Sequence, residues 1–469
     1  EFGLDPKAEM WKMPAMYVGP YAQVDAELTL KLWNYLAAQL TKEELWPIAN
    51  LELKLLPCLV DMTWRGVRID QDRVERTRNH LIKEEKATLA KIKHVAGQDV
   101  ELWAAASIAK AFDKLNIPYP RTEKNAPSFT KSFLADHPHE LAQLIVRARN
   151  LNKTSGTFIN TIMKHCHADG RIHGHINQIR SDDGGTVSGR ISMSNPNLQQ
   201  IPARDPELGP MIRSLFLPEE GEQWAAIDFS QQEPRILVHY AYVYGRSRGA
   251  QMAGVEEFVT AYREDPDMDF HTMVAEMANI PRKQAKTINL GMMYGMGVNK
   301  LSDQLDIDVD EAKGLVGQYH DRVPFVKGLM NGVMNSLNSR GSSGSVRSIL
   351  GRKCRFDLWE PATFAMHKAL PYQDALKEYG ETTRLKRAYT YKALNRLIQA
   401  SAADMTKQAM VNIYEQGRLP LVQIHDEIAM SVKNREDANT VAEIMENAVP
   451  LEIPSKCDVE IGPNWGEAS

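Results

Sequence analysis

Two aspartates stand where aspartate is costly. Asp228 closes the apolar run Trp224-Ala225-Ala226-Ile227, and Asp426 lies between two further apolar runs, Leu421 to Ile424 and Ile428 to Val432. Each run reads as a buried strand. An ionised carboxylate at the end of such a strand must meet a cation or several donors. The tip His425-Asp426-Glu427 is poor turn chemistry, because a plain hairpin favours Asn-Gly or Asp-Gly there. Local rules tend to fail at functional sites, although an exposed polar tip is the bland alternative. If the two strands lie side by side, Asp228 and Asp426 meet. Two adjacent carboxylates share a proton unless divalent cations lie between them. Hard oxygen donors select Mg²⁺, with Mn²⁺ able to substitute. Two such ions ~3.5–4 Å apart can activate a hydroxyl and stabilise a leaving oxygen in phosphoryl transfer.

A third stretch offers cations. Pro281 suits the first turn of a helix, and Arg282, Lys286, Leu290 and Tyr294 recur at four-residue steps on one slowly spiralling face. Cations at a helix N-terminus oppose its dipole, and an anion such as a triphosphate relieves the conflict. Taken alone, the pair Arg282 and Lys286 reads rather as an ordinary exposed basic helix start.

The elements that must position these residues follow from patterning. A helix is expected from Tyr21 to Leu40 and another over 51–65, then a strand or turn at Gly66 to Asp70. Residues 71–95, charged and Leu/Ala-rich, predict a long exposed helix. Residues 134–165 predict a second, with Leu141, Leu144, Ile145 and Leu151 as its apolar stripe; the two could form a projecting lobe or, equally on pattern alone, two solvated helices of a bundle. Asp182-Asp183-Gly184-Gly185 is a turn signal. Residues 250–340 read as mostly helical, Gly341 to Ser345 as a loop and 386–415 as helix. Cys166 and Trp224 read as core.

Composition bounds the function. The chain has 469 residues, 43% hydrophobic and 25% charged, which suits a globular protein of two to four units. No apolar run approaches the ~20 residues of a membrane span, and no secretory signal opens the chain. The four scattered cysteines, Cys58, Cys166, Cys354 and Cys457, contain no Cys-x-x-Cys pair, which argues against zinc and for a reducing, cytoplasmic setting. The net charge of −4 weighs mildly against a nucleic-acid partner, so any such contact needs local basic patches.

The motifs outweigh the charge. Asp228-Phe229-Ser230-Gln231-Gln232-Glu233-Pro234-Arg235 resembles the first palm motif of family A DNA polymerases, the bacterial DNA polymerase I family. Arg282 to Gly295 resembles their fingers helix, and Gln423-Ile424-His425-Asp426-Glu427 their second palm motif. Thr186 to Ser192 with Pro196 to Pro202 is similar to the primer-template segment, Asp269-Phe270-His271-Thr272 to the Asp-Ile-His-Thr motif, and Asn395-x3-Gln399-x3-Ala403-Asp404 to the helix before the second palm motif. Six motifs in the family's order, from about residue 51 to the C-terminus, leave little room for chance.

The resemblance implies an α+β right-hand architecture with an antiparallel palm sheet and mainly helical thumb and fingers. Residues 1–50 would be the remnant of a 3′–5′ exonuclease domain, 51–70, 166–239 and 391–469 the palm, 71–165 the thumb and 240–390 the fingers. It implies metal ligation by Asp228, Asp426 and the Phe229 carbonyl, with Glu427 in support. Arg282, Lys286 and His271 would grip the triphosphate and offset its developing charge. Glu233 would be the gate against a ribose 2′-hydroxyl. Tyr294 would stack near the templating base, and Gln231 and Leu290 would also contact the nucleotide. Arg190 and Gln399 would read the minor-groove side of the primer terminus, and Asn395, Arg204, His425, Asn197 and Gln199 would also touch DNA. The implied partners are primer-template DNA and dNTPs, for a monomer; accessory proteins are not legible.

Some features depart from the family. Leu290 stands where it usually has Phe or Tyr, the connection from His271 to Arg282 is short, and 357–390 holds an extra segment; all three look phage-like. No long insertion interrupts Gly66 to Arg190, so a thioredoxin-binding thumb loop is not indicated. The chain begins at Glu1, which suggests a fragment. Tyr21-x3-Asp25 resembles the last exonuclease motif, but the Asp-x-Glu expected upstream is absent, so this chain alone is not expected to proofread. The rival readings are a single-subunit RNA polymerase, against which Glu233 argues, and a catalytically idle nucleic-acid-binding subunit, for which two intact aspartates give no reason.

Overall fold

The computed structural model describes residues 9–122, 124–179, 185–202, 205–247, 252–339, 341–363 and 365–468. Its centre is a four-stranded antiparallel sheet in the order Pro420–Ile424, Glu427–Val432, Gln223–Phe229, Cys457–Gly462. Gln223–Phe229 is an inner strand, and Trp224 to Ile227 are all buried. That explains its continuous apolar run: a strand covered on both faces has no reason to alternate. The helix Ala393–Glu415 packs behind it and is buried on nearly every side, which matches its Ala-rich, almost uncharged middle.

A second small sheet orders Arg171–Ile172, Val67–Ile69 and Phe216–Leu217. From it projects a helical lobe with its own apolar core of Ile92, Phe112, Leu134, Leu141 and Ile145. The helix Gln71–Ala96 starts where Asp70 accepts a hydrogen bond from the Arg73 amide (2.8 Å) and ends at Gly97, whose φ of 61° is left-handed. It buries Val74, Leu81 and Ile92 along one face and leaves its charges outside.

Several expectations change in detail. The helix expected over 134–165 is broken into Lys131–Asp136, Glu140–Lys153, a π-helical turn Thr154–Ile159 and Asn160–His165. Pro138 and the His139 cap, whose Nδ1 accepts from the Leu141 amide (3.1 Å), restart the chain. Residues 386–415 are not one helix: Leu385–Arg387 is a strand and Thr390–Lys392 a 3₁₀ turn before the helix starts at Ala393. Ser345 opens a strand rather than ending a loop. The turn signal Asp182-Asp183-Gly184 falls outside the described residues.

The extra segment now has a shape. Leu358–Pro361 pairs with Leu370–Pro371 on one side and Leu385–Arg387 on the other, with the helix Tyr372–Tyr379 packed against them. At the other end of the chain, the helix Ala15–Lys42 buries none of its residues. Tyr21 and Asp25 lie one turn apart on it, and a hydrogen bond to Asp25 raises the Tyr21 hydroxyl. Cys58, Cys354 and Cys457 are buried free thiols; Cys166 is only half-buried. Among the described residues no helix is long and apolar enough to cross a membrane.

Candidate active site

Strand register brings the acids together. Asp228 pairs directly with Glu427 on one neighbour and with Asp458 on the other. Paired residues of an antiparallel sheet point to one face, so three carboxyls share it. Asp426 completes the group from the two-residue turn between Ile424 and Glu427, where the Phe229 amide donates to its carbonyl (3.3 Å). His425 in that turn has φ 60°, a left-handed backbone that non-glycine residues rarely adopt. Gln423 Nε2 reaches the His425 carbonyl at 2.5 Å, and Gln199 Nε2 reaches the Gln423 carbonyl at 3.1 Å, so the strained tip is tied down from below.

The electrostatics are those of acids lacking a cation. Burial, then the charges of Asp426, Glu427 and Asp458, push the Asp228 carboxyl up to about 8. Burial likewise raises Asp426 and Glu427. Asp228 Oδ1 and Glu427 Oε1 are buried without a hydrogen-bond partner. A buried, unpartnered carboxylate oxygen beside another acid is what a divalent ion would satisfy. The residues therefore fit a hard divalent cation: Asp228 and Asp426 supply charged oxygen donors, with the Phe229 carbonyl adjacent. Among the described residues no three His, Cys, Asp or Glu side chains close a preformed cage.

One basic residue faces these acids that the sequence did not single out. Arg213 is buried, stacks 4.7 Å over the Trp465 ring and pulls against the rise in Glu427. Its own Nε has no partner, and burial lowers its pKa. Trp224, read as core, is core: its ring stacks on Trp465 at 5.4 Å. A cavity of about 550 Å³ opens in front, lined by Asp228, Asp426, Glu427, Arg213 and, from the helical lobe, Lys131 and Lys153.

The basic helix is Arg282–Met293, with Pro281 as its cap. Lys286 is exposed and has no ion pair among the described residues. Arg282 is held back: Nη2 meets Asp269 at 2.6 Å and Nε meets Thr272 Oγ1 at 3.1 Å. Asp269 caps the helix Phe270–Ala278; the Arg282 ion pair and the Thr272 amide bond outweigh burial and hold its carboxyl down at about 2. His271 differs from the expectation of a charge-offsetting group. Burial pushes it down to about 4, with Lys286 and Arg282 adding to the effect against Asp269. It is neutral at pH 7 and offers a hydrogen bond rather than a charge. Asn289 Nδ2 lies 2.9 Å from its Nδ1, leaving Nε2 as the ring donor.

Four expected site residues form one chain. Arg190 Nη2 meets Glu233 Oε1 at 2.6 Å, the Tyr294 hydroxyl donates to Glu233 Oε2 at 2.5 Å, and Gln399 also bonds Tyr294. Burial and the Glu233 charge raise the Tyr294 hydroxyl, so it stays protonated and donating. Asn395 is half-buried one turn before Gln399, and Leu290 is half-buried on the basic helix.

Other expected contacts turn inward. Gln231 uses both ends of its amide, donating to the Met268 carbonyl (3.0 Å) and accepting from the Phe270 amide (2.7 Å), so it joins the strand end to the His271 helix. The Asn197 side chain caps the turn Leu198–Gln200 by accepting from the Gln199 amide (3.0 Å). In this conformation Gln231, Asn197 and Gln199 position other residues. His425 is exposed at the hairpin tip. Arg204 lies outside the described residues. Sequence reasoning missed Arg213, Asp458, Lys131 and Lys153; none lies in a motif, and only the fold brings them to the cavity.

This sheet-borne acid cluster belongs to a known class. Residues 71–467 match the model of DNA polymerase family A, and the chain belongs to that family as a DNA-directed DNA polymerase. It is 37% identical to a DNA-directed DNA polymerase of Pseudomonas phage M6, the alignment covering 100% of this chain and 73% of that protein. It is 30% identical to DNA polymerase DpoZ of Acinetobacter phage SH-Ab 15497, covering 97% of this chain and 75% of the relative. The thermostable DNA polymerase I of Thermus filiformis is 30% identical over 96% of this chain and 52% of its own length. Among solved structures, the POL domain of Pol1 from M. smegmatis, in complex with DNA primer-template and dNTP, superposes with a TM-score of 0.74 at 26% identity, covering 94% of this chain and 74% of that one. The fold is the α+β right-hand polymerase fold.

Proposed function

We propose that this polymerase adds dNTPs to a primer 3′-hydroxyl by two-metal phosphoryl transfer, with release of pyrophosphate. The observation that carries the reading is the meeting of Asp228, near the end of its strand, with Asp426, in the adjoining hairpin turn, and a buried Asp228 oxygen left without a partner. Two divalent ions, when bound, would activate the attacking hydroxyl and stabilise charge on the leaving oxygen. Asp228 and Asp426 would hold them, assisted by the Phe229 carbonyl, and Glu427, balanced by Arg213, would support Asp426. Lys286 takes the phosphates, joined by Arg282 once it leaves Asp269, and the neutral His271 donates a hydrogen bond from Nε2. Arg190 and Gln399 meet the primer terminus, and Tyr294 the templating base. Glu233, fixed between Arg190 and Tyr294, fills the space of a 2′-hydroxyl.

In the same reading 71–165 is the thumb, 240–390 the fingers, 51–70, 166–239 and 391–469 the palm, and 1–50 an exonuclease remnant. The lobe with its separate core supports the thumb boundary. Primer extension tests the whole: the chain should lengthen an annealed primer with dNTPs and Mg²⁺ or Mn²⁺, and not after chelation. Ribonucleotides added at comparable rates would overturn the role of Glu233 and favour the RNA-polymerase alternative.

Leu290 makes a sharper prediction. It sits between Lys286 and Tyr294 on the nucleotide-facing helix, and its side chain can neither stack as a ring nor donate a hydrogen bond. The protein should discriminate strongly against dideoxynucleotides. Leu290→Tyr should raise the dideoxy-to-deoxy incorporation ratio by about tenfold or more, since one hydrogen bond or ring contact is worth ~1.4 kcal/mol. Equal ratios in the two proteins would refute the contact.

A further inference from the structure

The small sheet built by residues 357–390 takes no part in the proposed reaction, yet the chain leaving it has an unusual composition. From Thr382 to Ala403 no acidic residue occurs, while Arg384, Lys386, Arg387, Lys392 and Arg396 supply five cations in a chain of net charge −4. Two of these are used internally. Arg387 donates to the Phe356 carbonyl (2.8 Å) and lies over the Trp359 ring, and Arg396 donates to the Arg355 carbonyl (2.8 Å). Arg384, Lys386 and Lys392 are exposed. Lys386 reaches Glu360 only loosely, at 3.4 Å, and Arg384 and Lys392 have no ion pair among the described residues.

Aromatic rings are interleaved with these cations. Tyr389 and Tyr391 are 39% and 49% exposed, and the Lys392 ammonium lies 5.1 and 5.6 Å from their centroids. Tyr389 has φ 59°, a left-handed backbone unusual for an aromatic residue; the Lys392 amide holds its carbonyl at 2.9 Å. Beside the turn lies a groove of about 550 Å³, lined by Ser339, Ser342, Arg384, Lys386 and Thr390. Exposed rings alternating along the chain with cations, beside a groove that Arg384 and Lys386 line, suit a single nucleic-acid strand, whose bases stack and whose phosphates pair with the cations.

The turn's position selects which strand. The Tyr391 carbonyl lies only 2.9 Å from where a Cβ on Gly295 would stand, so the turn abuts the end of the basic helix, immediately after Tyr294. Three residues on, Asn395 and then Gln399 follow on the next helix. The platform thus borders the place where the templating base would enter. We propose that Tyr389, Tyr391 and the cations Arg384, Lys386 and Lys392 hold the single-stranded template ahead of the nucleotide being copied. This rests on the polymerase reading of the Asp228–Asp426 site.

The test uses the full chain and a fixed primer-template duplex carrying a 5′ template overhang of one or of about ten nucleotides. The wild-type protein should bind the long overhang at least about fivefold more tightly. Tyr389→Asn, which keeps a residue tolerant of the left-handed backbone, and the double variant Arg384→Ala/Lys386→Ala should each erase most of that gain. Both should keep the wild-type Kd and single-nucleotide insertion rate on the short overhang. For the double variant, the slope of log Kd against log salt on the long overhang should fall by about 0.7 for each phosphate that is no longer neutralised. Equal wild-type binding to both overhangs, retention of the full gain by the variants, or equal weakening on both overhangs would overturn the platform. A wild-type protein that extends no primer would instead overturn the polymerase reading, since the binding measurement needs no turnover.

Discussion

Asp426→Ala should lose primer extension by about 10³-fold or more, a barrier increase of ~4 kcal/mol, while still binding primer-template DNA. The expectation follows from the arrangement of charges. Asp426 is half-buried, its charge raises Asp228, and the pair leaves Asp228 Oδ1 without a partner. Folding gains nothing from such a pair in the absence of a cation; it is tolerated because the site needs it. Removing one carboxylate relieves that repulsion, so the variant should fold at least as well as the parent. It should lose most of the rise in melting temperature that millimolar Mg²⁺ or Mn²⁺ gives the parent through binding to the folded state. Less negative charge facing the cavity should leave DNA affinity equal or higher. Extension assays, melting with and without metal, and fluorescence anisotropy on labelled DNA separate these outcomes. Extension within tenfold of the parent would remove Asp426 from the catalytic set, and joint loss of extension and DNA binding would favour a binding role.

The parts of this site that were legible in sequence are those fixed by local chemistry. The strand ending at Asp228 and the hairpin around Asp426 stand out because continuous apolar runs stop at acids. The helix-start signal at Pro281 likewise places the beginning of the basic helix at Arg282. What sequence could not show is which distant residues share a face. Asp458 lies in an edge strand whose alternation, Asp458-Val459-Glu460-Ile461, looks like any half-exposed strand until register sets it beside Asp228. Arg213 looks like an ordinary surface cation, and only the fold stacks it on Trp465 and turns it to Glu427. The neutrality of His271 is a consequence of burial, which has no local signature. The helix expected over 386–415 failed at its start because Leu385–Arg387 found a strand partner in Leu358–Pro361, and pairing overrode helical pattern.

Arg352→Ala should cost about 3–5 kcal/mol of stability, the largest structural effect expected of any exchange outside the site. Arg352 joins the buried Asp404 to the half-buried Glu52: Nε meets Asp404 at 2.7 Å and Nη2 meets Glu52 at 2.5 Å. Lys407 Nζ also meets Glu52 (2.7 Å) and donates to the Gln178 carbonyl (2.8 Å), and the Ser348 hydroxyl donates to Asp404. Two cations and two anions thus balance in the interior. Burial alone would raise Glu52, but Lys407 and Arg352 hold it below the usual carboxylate range. Asp404 is fully buried, and burial raises it despite the Arg352 charge. Without Arg352 it would keep only the Ser348 hydroxyl and would take up a proton or admit water. The cluster also pins the helix Ala393–Glu415 to the helix Trp46–Arg65, and Gln399 lies little more than one turn before Asp404. Arg352→Ala should therefore lower both the melting temperature and primer-terminus binding through Gln399. Pairing Arg352→Met with Asp404→Leu, which removes the charge together with its partner, should recover a substantial part of the lost stability. A loss under about 1 kcal/mol for the single variant would mean that water or Lys407 already satisfies Asp404, and that the ion pair does not set the position of this helix.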